Sequence, residues 1–182
     1  MKNKKAAMEL TMGTLVTIVL LVMVLILGGY FVNKIFHSAI KVADMTDEQL
    51  TNEINKLFTE ESKLIIYPST KIVKIKQEDV DEVGIGVKNL IAGGSESGNF
   101  SYQIVVADAS DCRESDEEVA KWIIVGERED NIPIPAGELS VQRVRFRIPS
   151  GSSLCIARFR VNVFSNGQSY STDSFDVEIK PK

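Results

Sequence analysis

Between Leu10 and Asn33 the chain runs for 24 residues without a charged side chain, and from Leu10 to Val32 it is apolar or small almost throughout. As an α-helix that run is roughly 35 Å long, against a hydrocarbon core of roughly 30 Å in a bilayer. Hidden inside a soluble protein, an all-round apolar helix would need a large shell, and 182 residues leave room for one ordinary domain beside it. The run is therefore read as a single membrane crossing. A cleaved secretory signal would have a shorter apolar core and a small-residue cut site. The nearest such site, Gly28-Gly29, lies inside an apolar run that continues to Val32. Lys2, Lys4 and Lys5 precede the segment, and only Lys34 and Lys41 follow closely. This excess favours a cytoplasmic N-terminus and an external C-terminal body.

Charge separates the two parts. Residues 46–182 carry 16 Lys+Arg against 23 Asp+Glu, a net of −7. An acidic body whose basic residues are not interleaved with stacking aromatics does not read as a nucleic-acid surface. The chain has one His and two Cys, with no nucleophile and base at recognisable spacing, so the expectation is no enzyme, no cofactor and no metal. His37 has no second His or Cys near it to complete a metal site. Gly84-Ile85-Gly86 lacks the third glycine of a dinucleotide loop and leads into Val-Lys-Asn-Leu, which reads as strand.

Beyond Val32 the apolar residues Ile35, Phe36, Ala39, Ile40, Val42 and Ala43 recur at helical spacing, which predicts one helix, membrane segment plus amphipathic stalk, over residues 6–44. Such a stripe buries against the protein's own body or against the same stripe of a neighbour. Residues 45–62 read as a short adaptor helix between stalk and body. Thr46 is its cap, Gln49 lies three residues on, Met45 and Leu50 form a hydrophobic staple, and Leu50, Ile54, Leu57 and Phe58 make its apolar face.

From Lys63 the period changes to two and β-branched residues dominate. Strands are predicted over Leu64–Tyr67, Lys71–Lys76, Val83–Leu90, Phe100–Ala107, Val119–Gly126, Leu139–Ile148, Leu154–Phe164 and Tyr170–Lys180. Seven or eight short strands with no intervening helix predict an antiparallel immunoglobulin-like β-sandwich over residues 63–182. Pro68 suits a split first strand at an edge. Val141 is out of step with Val144, which predicts a bulge near Gln142. Arg143, Arg145 and Arg147 alternate with core residues, as do Arg158 and Arg160. An arginine-rich outer face is one reading, a docking surface for glycans, lipid headgroups or an acidic surface protein. Cross-strand ion pairs with Asp176 and Glu178 are the other, and the preferred one.

Cys112 follows the Phe100–Ala107 strand and Cys155 begins the Leu154–Phe164 strand. In such a sandwich these two points lie side by side, so a disulfide is one reading; closing the loop would contribute roughly 4 kcal/mol in the chain-entropy model. A free buried Cys155 with a free surface Cys112 is the other. Asn99-Phe100-Ser101 is an N-glycosylation sequon after the loop Gly93-Gly94-Ser95-Glu96-Ser97-Gly98. The carboxylates of Asp108, Asp111, Glu114, Asp116, Glu117 and Glu118 lack the spacing and central glycine of a dedicated calcium loop and read as a solvated acidic loop.

Lys5-Ala6-Ala7-Met8-Glu9-Leu10, after basic residues and directly before the apolar segment, resembles the start of archaeal type IV pilin-like proteins with a class III signal peptide. The resemblance covers about the first thirty residues; beyond them it is architectural, a helix carrying an outward β-sandwich. It implies a basic leader within residues 1–5, cut by a dedicated membrane peptidase between Lys4 and Lys5 so that Lys5 begins the mature chain. It also implies that Glu9, fifth in the mature chain, assists subunit assembly and that the apolar helix forms a filament core. The sequence departs from the pattern at Lys4, where the family has a small residue such as glycine. Glu9 also has a local role available, as a first-turn carboxylate that favours the helix dipole.

Together these features predict a structural cell-surface protein, either a pilin-like subunit or a pilus-associated component. It would associate with itself through its lipid-embedded helix, as a homo-oligomer or filament. An uncleaved single-pass ectodomain that binds glycans or other surface proteins is the alternative.

Overall fold

A computed structural model describes residues 3–37, 41–91 and 98–182. The chain divides into two units, Met1–Ile40 and Lys41–Lys182.

The first unit is one helix, α1 (Asn3–His37), 35 residues long. Its segment Gly13–Tyr30 has a mean hydropathy of 2.4, enough in length and composition to cross a membrane, and none of it is buried. Leu25 is 75% exposed, and every large apolar side chain from Leu15 to Leu27 is exposed with it. Lys4, Lys5, Glu9, Ile35, Phe36 and His37 fall on this helix by backbone, and their side chains are outside the described residues, as are Ala39 and Ile40 altogether.

The stalk helix does not run on to Ala43. Val42–Asp44 forms a separate 3₁₀ turn, and Val42 is buried with Met45, Leu50 and Ile54 in the second unit. Val42 thus belongs to the body. Helix α2 (Asp47–Leu57) has the predicted start: Thr46 Oγ1 accepts from the Gln49 amide, and Gln49 Oε1 accepts from the Thr46 amide. Met45 and Leu50 share one apolar cluster, as a staple requires. The helix is a third layer of the body, seated on a sheet, and not an adaptor outside it.

Among the described residues, nine strands form an immunoglobulin-like β-sandwich: β1 (Leu64–Tyr67), β2 (Ile72–Lys76), β3 (Val80–Lys88), β4 (Gly98–Asp108), β5 (Ile123–Val125), β6 (Arg128–Ile134), β7 (Leu139–Arg147), β8 (Ile156–Ser165) and β9 (Gln168–Lys180). One sheet has the order β1-β3-β7-β5, the other β2-β9-β8-β4-β6. The first strand is split as Pro68 predicts: β1 pairs antiparallel with β3, and β2 lies on the opposite sheet, parallel to β9. The sandwich is therefore not wholly antiparallel. Between the sheets Phe146 of β7 meets Phe159 and Phe175 edge-on, with centroids 5.1 and 5.8 Å away.

Two further sequence expectations fail in the body, and one strand was not expected. Val119–Gly126 is not one strand, because Asp116–Ala120 forms the short helix α3 with a Ser115/Glu118 capping box, leaving β5 only three residues. Edge strand β6, with Pro133, went unforeseen. No bulge occurs near Gln142, since β3 and β7 pair without a register shift from Val80↔Arg147 to Lys88↔Leu139. Val141 is out of step because it lies on the outer face, where it and Leu139 pack against the α2 cluster.

That outer face explains Gly84 and Gly86. A Cβ on Gly84 would lie 2.7 Å from Leu50 Cδ1, and one on Gly86 would lie 2.9 Å from Phe58 Cε2. Their absence lets α2 rest directly on β3. The Gly-Ile-Gly run is a helix seat.

Candidate functional site

The most elaborated polar arrangement in the body fastens residues 41–47, the segment that follows α1, to β3 and β7. Lys41 Nζ donates to Asp79 Oδ2 at 2.8 Å. Arg143 is the hub. Its Nε donates to Asp47 Oδ1 at 2.8 Å, Nη2 to the Met45 carbonyl at 2.7 Å, and Nη1 to the Val42 carbonyl at 3.1 Å and to Glu82 Oε2 at 2.8 Å. One planar guanidinium thus ties together a strand, a helix start and a 3₁₀ turn, a task that needs its forked donors.

Glu82 lies opposite Arg145 in the β3–β7 register, and Arg145 Nε donates to Glu82 Oε1 at 2.7 Å. Glu82 is 3% exposed. Burial pushes its carboxyl up, but the hydrogen bonds from Arg143 and Arg145 outweigh that and hold it below the usual carboxylate range. Asp79 is held low by the hydrogen bond from Lys41. Asp81, also buried, goes the other way: burial raises it, although the Glu82 and Ala43 amides donate to it. Every charged member of this clamp is committed to another member or to a backbone group. Its geometry holds a chain segment rather than presenting an acid, a base or a nucleophile.

Sequence reasoning placed Arg143 among outward arginines and preferred cross-strand ion pairs for them, which the Arg145–Glu82 pair bears out, but it missed the clamp. The usable signal was Glu82, a carboxylate that with Asp81 directly precedes the apolar run Val83–Val87, where a buried charge needs a cation across from it. The arginines form no single patch, because β7 and β8 belong to opposite sheets. On the other outer face Arg158 grips Asp176 through two hydrogen bonds of 2.8 and 3.1 Å, as an ion-pair ladder predicts. Glu178 pairs with Lys180 and Lys74 instead, and Arg160 lies across from Ser174.

Cys112 and Cys155 are brought together in a disulfide, with a Cα–Cα distance of 5.1 Å. The acidic residues around Cys112 are mostly spent on local structure. Asp108 Oδ1 accepts from the Ser110 amide at 3.0 Å, Glu118 closes the α3 box, and Glu114 accepts from the Ser153 amide at 2.7 Å and from the Ser153 hydroxyl. Burial alone would raise Glu114, but the bonds from Ser153 leave it below the usual carboxylate range. Asn99 is exposed at the start of β4, not in a loop, and its Nδ2 donates to Asn131 Oδ1 at 3.1 Å. Residues Gly93 to Ser97 of the preceding loop are outside the described residues.

No protein-family model matches the sequence, and comparison with curated proteins finds no relative. Among solved structures the chain is similar to the CARDB domain of the PF1109 protein from Pyrococcus furiosus, at 13% identity and a TM-score of 0.40, covering 64% of this chain and 87% of that one. It is also similar to a Niemann-Pick type C2 protein from Japanese carpenter ant, at 16% identity and a TM-score of 0.39, covering 65% and 90%. A cohesin module of a Clostridium perfringens family 33 glycoside hydrolase follows at 14% identity and 0.29, covering 60% and 91%. These are likenesses of β-domain architecture alone.

Proposed function

We propose that the chain is a structural cell-surface protein, a pilin-like subunit or pilus-associated component that packs laterally through α1 and displays its β-sandwich outside the cell. The carrying observation is the contrast between the two units. From Leu15 to Leu27 the apolar side chains of α1 are exposed, while the body buries its own core. An apolar helix surface of this length calls for lipid or like helices around it. On this reading Glu9 assists assembly, Lys4-Lys5 is the processing site, and the partners are membrane lipid and further copies of the chain. The role involves no catalytic step, no cofactor and no nucleic acid.

The test is to shear surface filaments from cells and sequence the N-terminus of this chain within them. A start near Lys5 or Ala6 supports the reading; an intact N-terminus found only in detergent-extracted membranes overturns it. Lys4, standing where the resembled family has a small residue, favours a second reading: an uncleaved anchored module that binds glycans or other surface proteins. A soluble chain used to test such binding should begin at Lys41 rather than Met45, because Val42 is part of the body's core.

A further inference from the structure

The sulfurs of Cys112 and Cys155 and a carboxylate oxygen of Glu114 all lie within 4.8 Å of one another. In the oxidised chain the sulfurs are spent on each other. Reduction alters their chemistry while leaving their attachments in place. A phosphine supplies two electrons and becomes the phosphine oxide with the oxygen of a water molecule, whose two protons convert the disulfide to two thiols, and each thiol gives up its proton when a metal ion binds. We infer that the reduced chain binds one soft divalent cation of the zinc class through Cys112 Sγ, Cys155 Sγ and the Glu114 carboxylate, with the fourth position open to water.

Three observations carry this. First, both cysteines are held by backbone bonds that do not depend on the disulfide: the Cys112 amide donates to the Ala109 carbonyl at 2.9 Å, and the Ile179 amide donates to the Cys155 carbonyl at 2.9 Å. Second, the carboxylate is already aimed. The Ser153 amide and hydroxyl donate to separate oxygens of Glu114, and that hydroxyl accepts from the Arg113 amide at 3.1 Å and lies 3.4 Å from Cys155 Sγ. Such outer hydrogen bonds orient a ligand before metal arrives. Third, donors around a tetrahedral zinc stand about 3.3–3.8 Å apart, given metal–ligand bonds of about 2.0–2.3 Å, so shifts of about 1 Å suffice. Two thiolates with one carboxylate select zinc, cobalt or cadmium over calcium or magnesium. The two cysteines then serve either a covalent crosslink or, with Glu114, a metal, and each closes the same loop.

The test uses the full chain in detergent, reduced anaerobically with a phosphine that is then removed, and titrated with Co²⁺. The expected result is a thiolate-to-cobalt charge-transfer band with tetrahedral d–d bands, saturating at one equivalent and bleached by Zn²⁺. The oxidised chain should show none. C112S and C155S should each abolish the charge-transfer band at that stoichiometry, and E114Q and S153A should each weaken Co²⁺ binding by about 10-fold or more. Oxidised E114Q melting like the oxidised parent would establish that its loss is not one of fold. A missing or unsaturable band overturns the inference, as does a band surviving in either cysteine variant or an affinity unmoved in E114Q. So does Trp122 fluorescence showing the reduced chain unfolded, because the three ligands are then no longer assembled.

Discussion

Arg143 Nη1 donates to Glu82 Oε2 across 2.8 Å, from a side chain 23% exposed to one only 4% exposed. The pair sits beneath the start of α2 and locks the 3₁₀ turn to the sheet, since the same guanidinium bonds the Val42 and Met45 carbonyls. Removing Arg143 leaves the buried Glu82 with Arg145 as its one remaining cation and takes the donor away from the Val42 and Met45 carbonyls.

Arg143→Ala should therefore destabilise the body by about 3 kcal/mol or more. Arg143→Lys should recover little of this, because one ammonium cannot reach Asp47, Glu82 and two carbonyls at once. Trp122, the only tryptophan and almost fully buried, makes its fluorescence during urea unfolding in detergent a direct report on the body. An Arg143→Ala midpoint equal to the parent's would refute the clamp.

The helix seat predicts an order of severity. At Gly86 a new Cβ collides with Ile54 Cγ2 and the Phe58 ring, whereas at Gly84 it meets the ends of Leu50 and Ile54, which can swing aside. Gly86→Ala should cost about 1–3 kcal/mol by overpacking, and Gly84→Ala less. Amide exchange across Asp47–Leu57 should quicken in Gly86→Ala first.

Acid should pull the clamp two ways. Asp79 and Glu82 have folded pKa values below their unfolded ones, so their contribution is present above the ordinary carboxylate range and is lost as pH falls through the lowered values. Asp81 has a raised folded pKa, so its contribution is full below the ordinary range and is lost as pH rises through the raised value. Compared with Asp81→Asn, the parent should thus lose ground as pH climbs from the ordinary carboxylate range through that raised value. Paired unfolding midpoints from pH 4 to 7 would measure the difference; a constant gap would show that Asp81 does not titrate differently on folding.

The Cys112–Cys155 bond spans 43 residues, for which loop entropy gives about 4 kcal/mol. A C112S/C155S double variant should unfold at correspondingly lower urea with an unchanged core signal at zero urea.

At Asn99 the exposed amide at the head of β4 should carry a glycan in native material. Intact-mass measurement should show the added mass and its loss in Asn99→Gln, and an unmodified native mass would remove this assignment.

What the sequence made legible was local or strictly periodic. Examples are the charge-free run, the Thr46/Gln49 cap, the alternation in β7, β8 and β9, and the Arg158–Asp176 pair. What escaped depended on a neighbour supplied by the fold. Val141 looked mis-phased because a helix seat was invisible without α2 on top of it. Strand β6 was hidden because an edge strand needs few inward residues, here Ile132 and Ile134. Helix α3 was the avoidable miss, since Ser115 followed by Glu118 is itself a capping-box signature. The clamp was out of reach, because nothing local says that Arg143 will bond carbonyls about a hundred residues earlier.

Lys41 is gripped by Asp79, which directly precedes the middle strand β3, and Val42 and Met45 by Arg143 on the other middle strand, β7. A pull arriving along the chain from its N-terminal side is therefore delivered to the best-supported part of the sandwich before it reaches edge strand β1. That pull must shear charged contacts together before it can peel the first edge open.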